Sequence, residues 1–327
     1  MIGVETEGCP LGKLKAFIAR FDALAEYPME EYGFSRAWLL WDYAWAWVTC
    51  RCSFTDYFLF RFYHLNRRGR KEYICLWQMR DFHRKNPARS FADFEEKDRF
   101  LDRFSDFVHR DWIGRKVRSS REEFDAFCQS HERCILKRRT DFGGHGAELC
   151  DLTAVDRDAL YERMVRDDLI AEELVRQCPQ MAALHPDSVN TVRVLTIKGK
   201  IVAATLRQGS GGSFMDNGTS GGVFAAMDPS SGIVVTPGVR LDTRQALRNP
   251  TTGVVIPGFR VPMWEETKQM IARAVQVAPE TLIIGWDVAY TDDGPILIEG
   301  NAYPGVQILQ GGYRGLARDW RRAMAEN

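Results

Sequence analysis

Two apolar runs near the C-terminus constrain this chain more than any other feature. Leu282 to Tyr290 and Ile296 to Glu299 read as strands, and Asp292-Asp293-Gly294-Pro295 lies between them. Asp and Gly in so short a connection suit a tight turn, so the runs pair as an antiparallel hairpin. With the turn centred on Asp293, residue 287 faces residue 299. Directly opposed residues share a face, with Cβ atoms roughly 5 Å apart. Asn301, two positions beyond Glu299, shares that face too if the strand persists. Asp287, Glu299 and Asn301 therefore converge.

Two carboxylates that close repel by roughly 3 kcal/mol at an effective dielectric near 20. Protonating one acid, or binding a cation, relieves the strain. Hard oxygen donors suit magnesium shared with phosphate oxygens. The plain alternative is a solvated hairpin with unrelated acids, and the sharp Pro304-Gly305 turn just after Asn301 counts against it. Neutralising either acid is expected to raise stability slightly by relieving the repulsion.

Upstream of this hairpin the pattern changes twice. Up to about residue 112 the chain reads helical, with Leu14, Phe17, Ile18, Phe21 and Leu24 at helical spacing. Trp38, Trp41, Trp45, Val48 and Cys52 form a second such stripe, expected to be a buried helix face, with docking on a membrane surface as the lesser alternative. Asp42 and Arg51 cut this stretch well short of the ~20 apolar residues a spanning helix needs. Arg67-Arg68-Gly69-Arg70-Lys71 reads as a solvated helix end. Between about 113 and 185, short apolar runs alternate with charged helical segments. After Pro186, Thr191–Ile197 and Ile201–Leu206 flank Lys198-Gly199-Lys200 as a hairpin, Ile233-Val234-Val235 is a strand, and Trp264–Val277 is a helix. The expectation is an α+β protein in three parts: a helical region 1–112, a small unit 113–185, and a larger unit 186–327 carrying the acidic hairpin.

Other residues suit an anionic substrate. Lys137 ends an apolar run just before Gly143-Gly144-His145-Gly146, a loop able to lay backbone amides against phosphates. Glu172-Glu173-Leu174-Val175 could form a hinge offering backbone groups to adenine and a carboxylate to ribose. Read alone, the first is a turn and the second a charged connector. Arg193 and Arg207 sit inside β-patterns, where an arginine must reach solvent or find an anion. Asp216-Asn217 and Gly221-Gly222 follow in a glycine-rich stretch.

Composition closes off other classes. Forty-four basic residues balance forty-four acidic ones, so no global charge draws the chain to nucleic acid or acidic lipid. The eight cysteines include no Cys-x-x-Cys pair and the histidines show no ligand spacing, which argues against a structural zinc. A disulfide framework is not expected either, and the reading is a protein of the reducing cytoplasm without a transmembrane segment.

The order Lys137, Gly-rich loop, acidic hinge, Arg193, Arg207, Asn217, Gly221-Gly222, Asp287, Glu299, Asn301 resembles the ATP-grasp superfamily. Asn190 to Gly222 is similar to the glutamate ligases that modify ribosomal proteins. The run His185-Pro186-Asp187-Ser188-Val189-Asn190-Thr191-Val192-Arg193, with the helical N-terminus, looks most like the sugar-transfer-associated ATP-grasp family. The resemblance covers about residues 134 to 310. Two departures stand out: Arg138 where many relatives have proline, and Gly300 in place of a common apolar residue.

The resemblance implies an ATP-grasp fold of two α+β subdomains with ATP between them. Lys137, Gly143 and Gly144 would meet phosphates, and Glu172, Glu173, Leu174 and Val175 would meet adenine and ribose. Asp287, Glu299 and Asn301 would hold Mg2+, with Mn2+ as the alternative, while Arg193, Arg207 and Asn217 would serve the chemistry. It implies a carboxylate–amine ligase working through an acyl phosphate on small-molecule or sugar-linked acids and amines, in surface-polysaccharide or other sugar-linked biosynthesis. A kinase acting on a hydroxyl, and a nucleotide-binding module without turnover, are the alternatives. Oligomeric state is not implied.

Overall fold

The computed structural model describes residues 10–114, 120–140, 147–211 and 221–325. It is α+β, with helices dominating the first third and two antiparallel sheets thereafter.

The smaller sheet holds β1 (Trp112–Gly114), β2 (Arg133–Arg138), β3 (Glu148–Asp151) and β4 (Leu169–Glu173), in the order β1-β4-β2-β3. The larger is built from β5 (Thr191–Ile197), β6 (Lys200–Gln208), β7 (Val223–Asp228), β8 (Ile233–Val234), β9 (Gly238–Val239), β10 (Gln245–Ala246), β11 (Ile283–Thr291) and β12 (Gly294–Asn301). Its order is β10-β9-β7-β6-β5-β11-β12, with β8 on β7. Lys198 and Gly199 both take positive φ, 48° and 74°, which closes the β5–β6 hairpin with the twist its strands need.

The β11–β12 hairpin reaches its expected register by an unexpected route. The turn is Asp292-Asp293, one position tighter than a turn centred on Asp293, so Thr291 pairs Gly294 and Val288 pairs Leu297. Continued unbroken, that ladder would oppose Asp287 to Ile298. A bulge between Asp287 and Val288 leaves Ile298 unpaired and restores Asp287 opposite Glu299 and Gly285 opposite Asn301.

Alternation along β5 and β11 separates two faces. Val192, Val194, Trp286 and Val288 enter a core shared with the helix Trp264–Val277 and with Phe94, Phe100 and Phe104. Leu195, Ile197 and Ile283 enter another, with Met79, Phe82 and Leu316. Gly300 lies opposite Trp286, where an added Cβ would come within 2.7 Å of Phe100 and 2.8 Å of Phe94. These aromatic rings account for the departure at this position.

At the N-terminus, α1 (Pro10–Tyr32) and α2 (Arg36–Cys50) form a hairpin packed on the short helical segment that follows, and Phe21, Leu39 and Ala46 share with Tyr57, Phe58 and Leu59 an apolar cluster that extends to Phe224 and Val239 of the large sheet. The expectation for α2 is overturned. Its buried residues are Leu39, Asp42, Ala46 and Cys50, whereas Trp38, Trp41, Trp45 and Val48 face outward; of that stripe only Cys52, beyond the helix, is buried. Leu14, Phe17 and Ile18 on α1 are exposed too, while Phe21 and Leu24 are buried. Counting apolar residues selects the wrong face here because Asp42 is pulled inward. Its carboxylate accepts from Arg70 Nη2 at 2.7 and 2.8 Å and from the Tyr57 hydroxyl at 2.7 Å. Arg70 is likewise buried, donating also to the Phe62 and Leu65 carbonyls, rather than standing at a solvated helix end.

Removing one partner of such a pair strands the other charge. Asp42→Ala is therefore expected to lower unfolding free energy by about 3–5 kcal/mol, read from urea denaturation. A loss below ~1 kcal/mol would mean that Arg70 finds water.

Candidate active site

A row of charged side chains crosses one face of the large sheet. Arg193 on β5 pairs Asp287 on β11, which pairs Glu299 on β12. Arg207 on β6 lies opposite Thr191, two residues before Arg193, and so shares that face. Arg193 Nε and Nη2 grip the two oxygens of Asp287, the second at 2.8 Å, and Arg207 Nη1 donates to Oδ2 at 2.8 Å. Both arginines thus converge on one anion, a carboxylate of the chain itself. Asp287 is 3% exposed and Arg193 8%.

The two acids are shifted in opposite directions. Burial pushes Asp287 up, but Arg193 and Arg207 outweigh it and bring its carboxyl down to about 2. Glu299 is pushed up, first by burial and then by Asp287, against a weaker pull from Arg193 at 3.9 Å. Asn301 Nδ2 donates to Glu299 Oε1 at 3.4 Å, so the third oxygen donor lies beside the second. The repulsion expected of the pair is answered by two guanidiniums on Asp287 and appears as the upward shift of Glu299. Two carboxylates and an amide, all hard oxygen ligands, make a donor set that fits magnesium.

Across the edge of β12 stands the small sheet. Glu172 on β4, 3% exposed, pairs Lys137 Nζ at 3.0 Å and Arg110 Nη2 at 2.7 Å. Burial pushes its carboxyl up, and these two cations bring it down to about 2. Arg110 also donates to the carbonyls of Leu297 and Ile298, at 2.6 and 2.9 Å. It ties the buried acid of one sheet to the bulge of the other. A recess opens here, lined by Lys137, Glu172, Glu299, Asn301 and, from the N-terminal helices, Glu95 and Lys97.

Glu173 points the other way. It sits with Asp111 and His131 at the end of the small sheet, its Oε2 accepting from the Asp111 amide at 3.0 Å. Leu174 and Val175 follow directly and are half-buried. Gly143, Gly144 and Asn217 lie outside the described residues.

Three residues escaped sequence reasoning: Glu95 and Lys97, which line the recess, and Arg110, which pairs with Glu172 on its wall. Arg110 and Lys97 carried no local signal, since both sit in charge-rich segments whose sheet contacts are distant in sequence. Glu95 is pushed from an ordinary 4.5 up to about 7, by burial and then by Glu299.

Residues 159–319 match the family model of sugar-transfer associated ATP-grasp proteins. Over this segment, just under half of its length, the chain matches that ATP-grasp family. Among solved structures, the chain is similar to the ligase PsnB bound to a minimal precursor, at 16% identity over 74% of this chain and 64% of that one, with a TM-score of 0.48. It thus spans just under two thirds of PsnB. The D-cycloserine synthetase DcsG follows at 11% identity, 74% and 72% coverage, and a TM-score of 0.44. The D-alanine–D-alanine ligase of Bacillus anthracis, complexed with ATP, gives 12%, 72% and 62%, and 0.40. No curated protein matches the chain.

Two outcomes follow from the charge row. Asp287→Asn leaves two buried guanidiniums without their anion and is expected to destabilise by about 3 kcal/mol or more. This reverses, for Asp287, the gain expected from repulsion alone. Glu299→Gln removes an acid whose charge burial and Asp287 oppose and is expected to be neutral or stabilising; paired urea melts at pH 7.5 check both.

Glu95 supplies a pH signature. Its folded-state pKa is raised, so the folded chain binds this proton more tightly than the unfolded one. Stability therefore falls as pH rises from 4.5 through about 7. In chelator-treated protein, Glu95→Gln is expected to be more stable than the unsubstituted chain at pH 8 by about 1–3 kcal/mol, and to converge with it below pH 5. Parallel melting curves at all pH values would remove Glu95 from the recess chemistry.

Proposed function

We propose that the chain is an ADP-forming carboxylate–amine ligase that activates its acid as an acyl phosphate. The observation that carries this reading is the row Arg207–Arg193–Asp287–Glu299 across four adjacent strands, whose last member, Glu299, lines the recess together with Asn301, Lys137 and Glu172. The division into a helical region 1–112, a small unit 113–185 and a large unit 186–327 belongs to the same proposal.

In the reaction, a substrate carboxylate oxygen takes the γ-phosphoryl group of ATP and ADP leaves. An amine nitrogen then attacks the acyl carbon, loses a proton and expels inorganic phosphate. Asp287, Glu299 and Asn301 would hold Mg2+, which when bound neutralises phosphate charge. Lys137 would exchange its Glu172 partner for phosphate oxygens. Glu172 and the backbone of Glu173, Leu174 and Val175 would receive the adenosine. Arg207 and Arg193, which converge on Asp287, would stabilise the charge that spreads over the transferring phosphoryl group. No nucleophilic side chain is needed, so catalysis is positioning and electrostatics.

The family match over residues 159–319 supports ATP use, and the arginine pair beside the oxygen cluster favours phosphoryl transfer over simple nucleotide retention. Acids and amines that are small or sugar-linked are the proposed substrates.

The test is phosphate release with panels of acids and amines, with products identified by mass. The ligase reading expects an amide and inorganic phosphate only when both partners are present. Phosphate retained on a hydroxyl acceptor would make the chain a kinase. Arg207→Gln spares the two-point Arg193–Asp287 grip, so melting should hold. Its kcat should fall by roughly a hundredfold or more at nearly unchanged ATP affinity. Activity that merely follows the folded fraction would reduce Arg207 to a structural partner of Asp287.

A further inference from the structure

The outward side of α2 is inverted relative to an ordinary surface helix. From Ala37 to Cys50 its single charged residue is Asp42, and that residue is buried. Trp41, Trp45 and Val48 follow one another at helical spacing and are 64%, 51% and 65% exposed, with Trp38 continuing the stripe. Trp47, 54% exposed, widens it toward α1. A helix face of this kind leaves a large apolar patch in water, where monomeric proteins seldom keep one. The helix is about 22 Å long at 1.5 Å per residue, and no helix of the described chain is long and apolar enough to cross a membrane. It can lie on a bilayer but not span it.

Charge around the patch selects the occupant. The hairpin is antiparallel, so the first half of α1 lies beside the end of α2; Phe21 meets Tyr43 and Phe17 meets Phe54. At this end Leu14, Phe17 and Ile18 are also exposed. Residues 10–21 hold three basic residues and no acid, and residues 43–55 hold Arg51 and no acid. The hairpin's acids gather toward the turn, where Arg244 pairs Glu26 and Glu30. An apolar, tryptophan-rich face rimmed by cations at one end matches the apolar–polar boundary of an anionic bilayer. There indole rings rest among headgroups and basic side chains meet lipid phosphates. We propose that α1 and α2 dock this protein on an anionic lipid surface, in the plane of the interface. Both helices share one apolar cluster with Phe224 and Val239 of the large sheet, so the whole chain would be carried with them.

The test is co-sedimentation of the full chain with vesicles of phosphatidylglycerol and phosphatidylcholine, and with phosphatidylcholine alone. Binding to the anionic vesicles is expected, with a blue shift of tryptophan emission and weakening in salt. The triple variant Trp41→Gln/Trp45→Gln/Val48→Gln should lose roughly tenfold or more of that binding. Its melting temperature should be kept, because the replaced side chains are exposed; the single variant Trp41→Gln serves if the triple one fails to fold. Lys15→Gln with Arg51→Asn should abolish the preference for anionic vesicles. The idea is overturned if the unsubstituted chain stays in the supernatant or the triple variant binds equally well. It is also overturned if light scattering finds a dimer that the triple variant dissolves while vesicles go unbound, which would make a second copy the occupant.

Discussion

A carboxylate buried between two guanidiniums organises the large sheet. Asp287 is nearly inaccessible, and an unpaired charge there would be untenable. Arg193 and Arg207 make it tenable, each from a different strand, so three adjacent strands must keep register for the cluster to exist. The same arrangement leaves Glu299 at the end of the row, where burial and then Asp287 push its carboxyl up against the pull of Arg193 and Lys97. The two neighbouring acids are thus shifted in opposite directions.

The second tie runs between sheets. Arg110 satisfies Glu172 and also caps two carbonyls on the edge of β12, at the bulge that aligns Glu299. Lys137 shares the same acid. Exchange of Lys137 from Glu172 to a phosphate would leave Arg110 as the remaining cation on Glu172, so the inter-sheet tie could persist through turnover. The recess sits between these two charge systems, with the helix Ala88–Glu95 supplying Glu95 to its wall.

Much of the site was legible from residue order. A turn flanked by β-runs implies antiparallel pairing, and pairing brings Asp287, Glu299 and Asn301 together whatever the rest of the chain does. The register came out as expected only because the tighter turn and the bulge at Ile298 offset each other. Glu172 and Lys137 were legible as elements of a resemblance, but their mutual pairing depends on β2 and β4 being neighbours. Arg110, Glu95 and Lys97 were not legible, since each gains its role from a contact with a segment distant in sequence.

The N-terminal hairpin marks where periodicity stops being informative. Spacing determined that residues 36–50 form a helix, because apolar residues recur at its period and Ser35 caps its start. Which face turns inward was decided by tertiary structure alone, as Arg70 and Tyr57 draw Asp42 into the core and leave the tryptophans outside. The sequence by itself determined the element types, the acidic hairpin and the family. The charge pairings, the orientation of α2 and the recess between the sheets required the folded chain, because each rests on side chains from separate elements whose meeting no local pattern encodes.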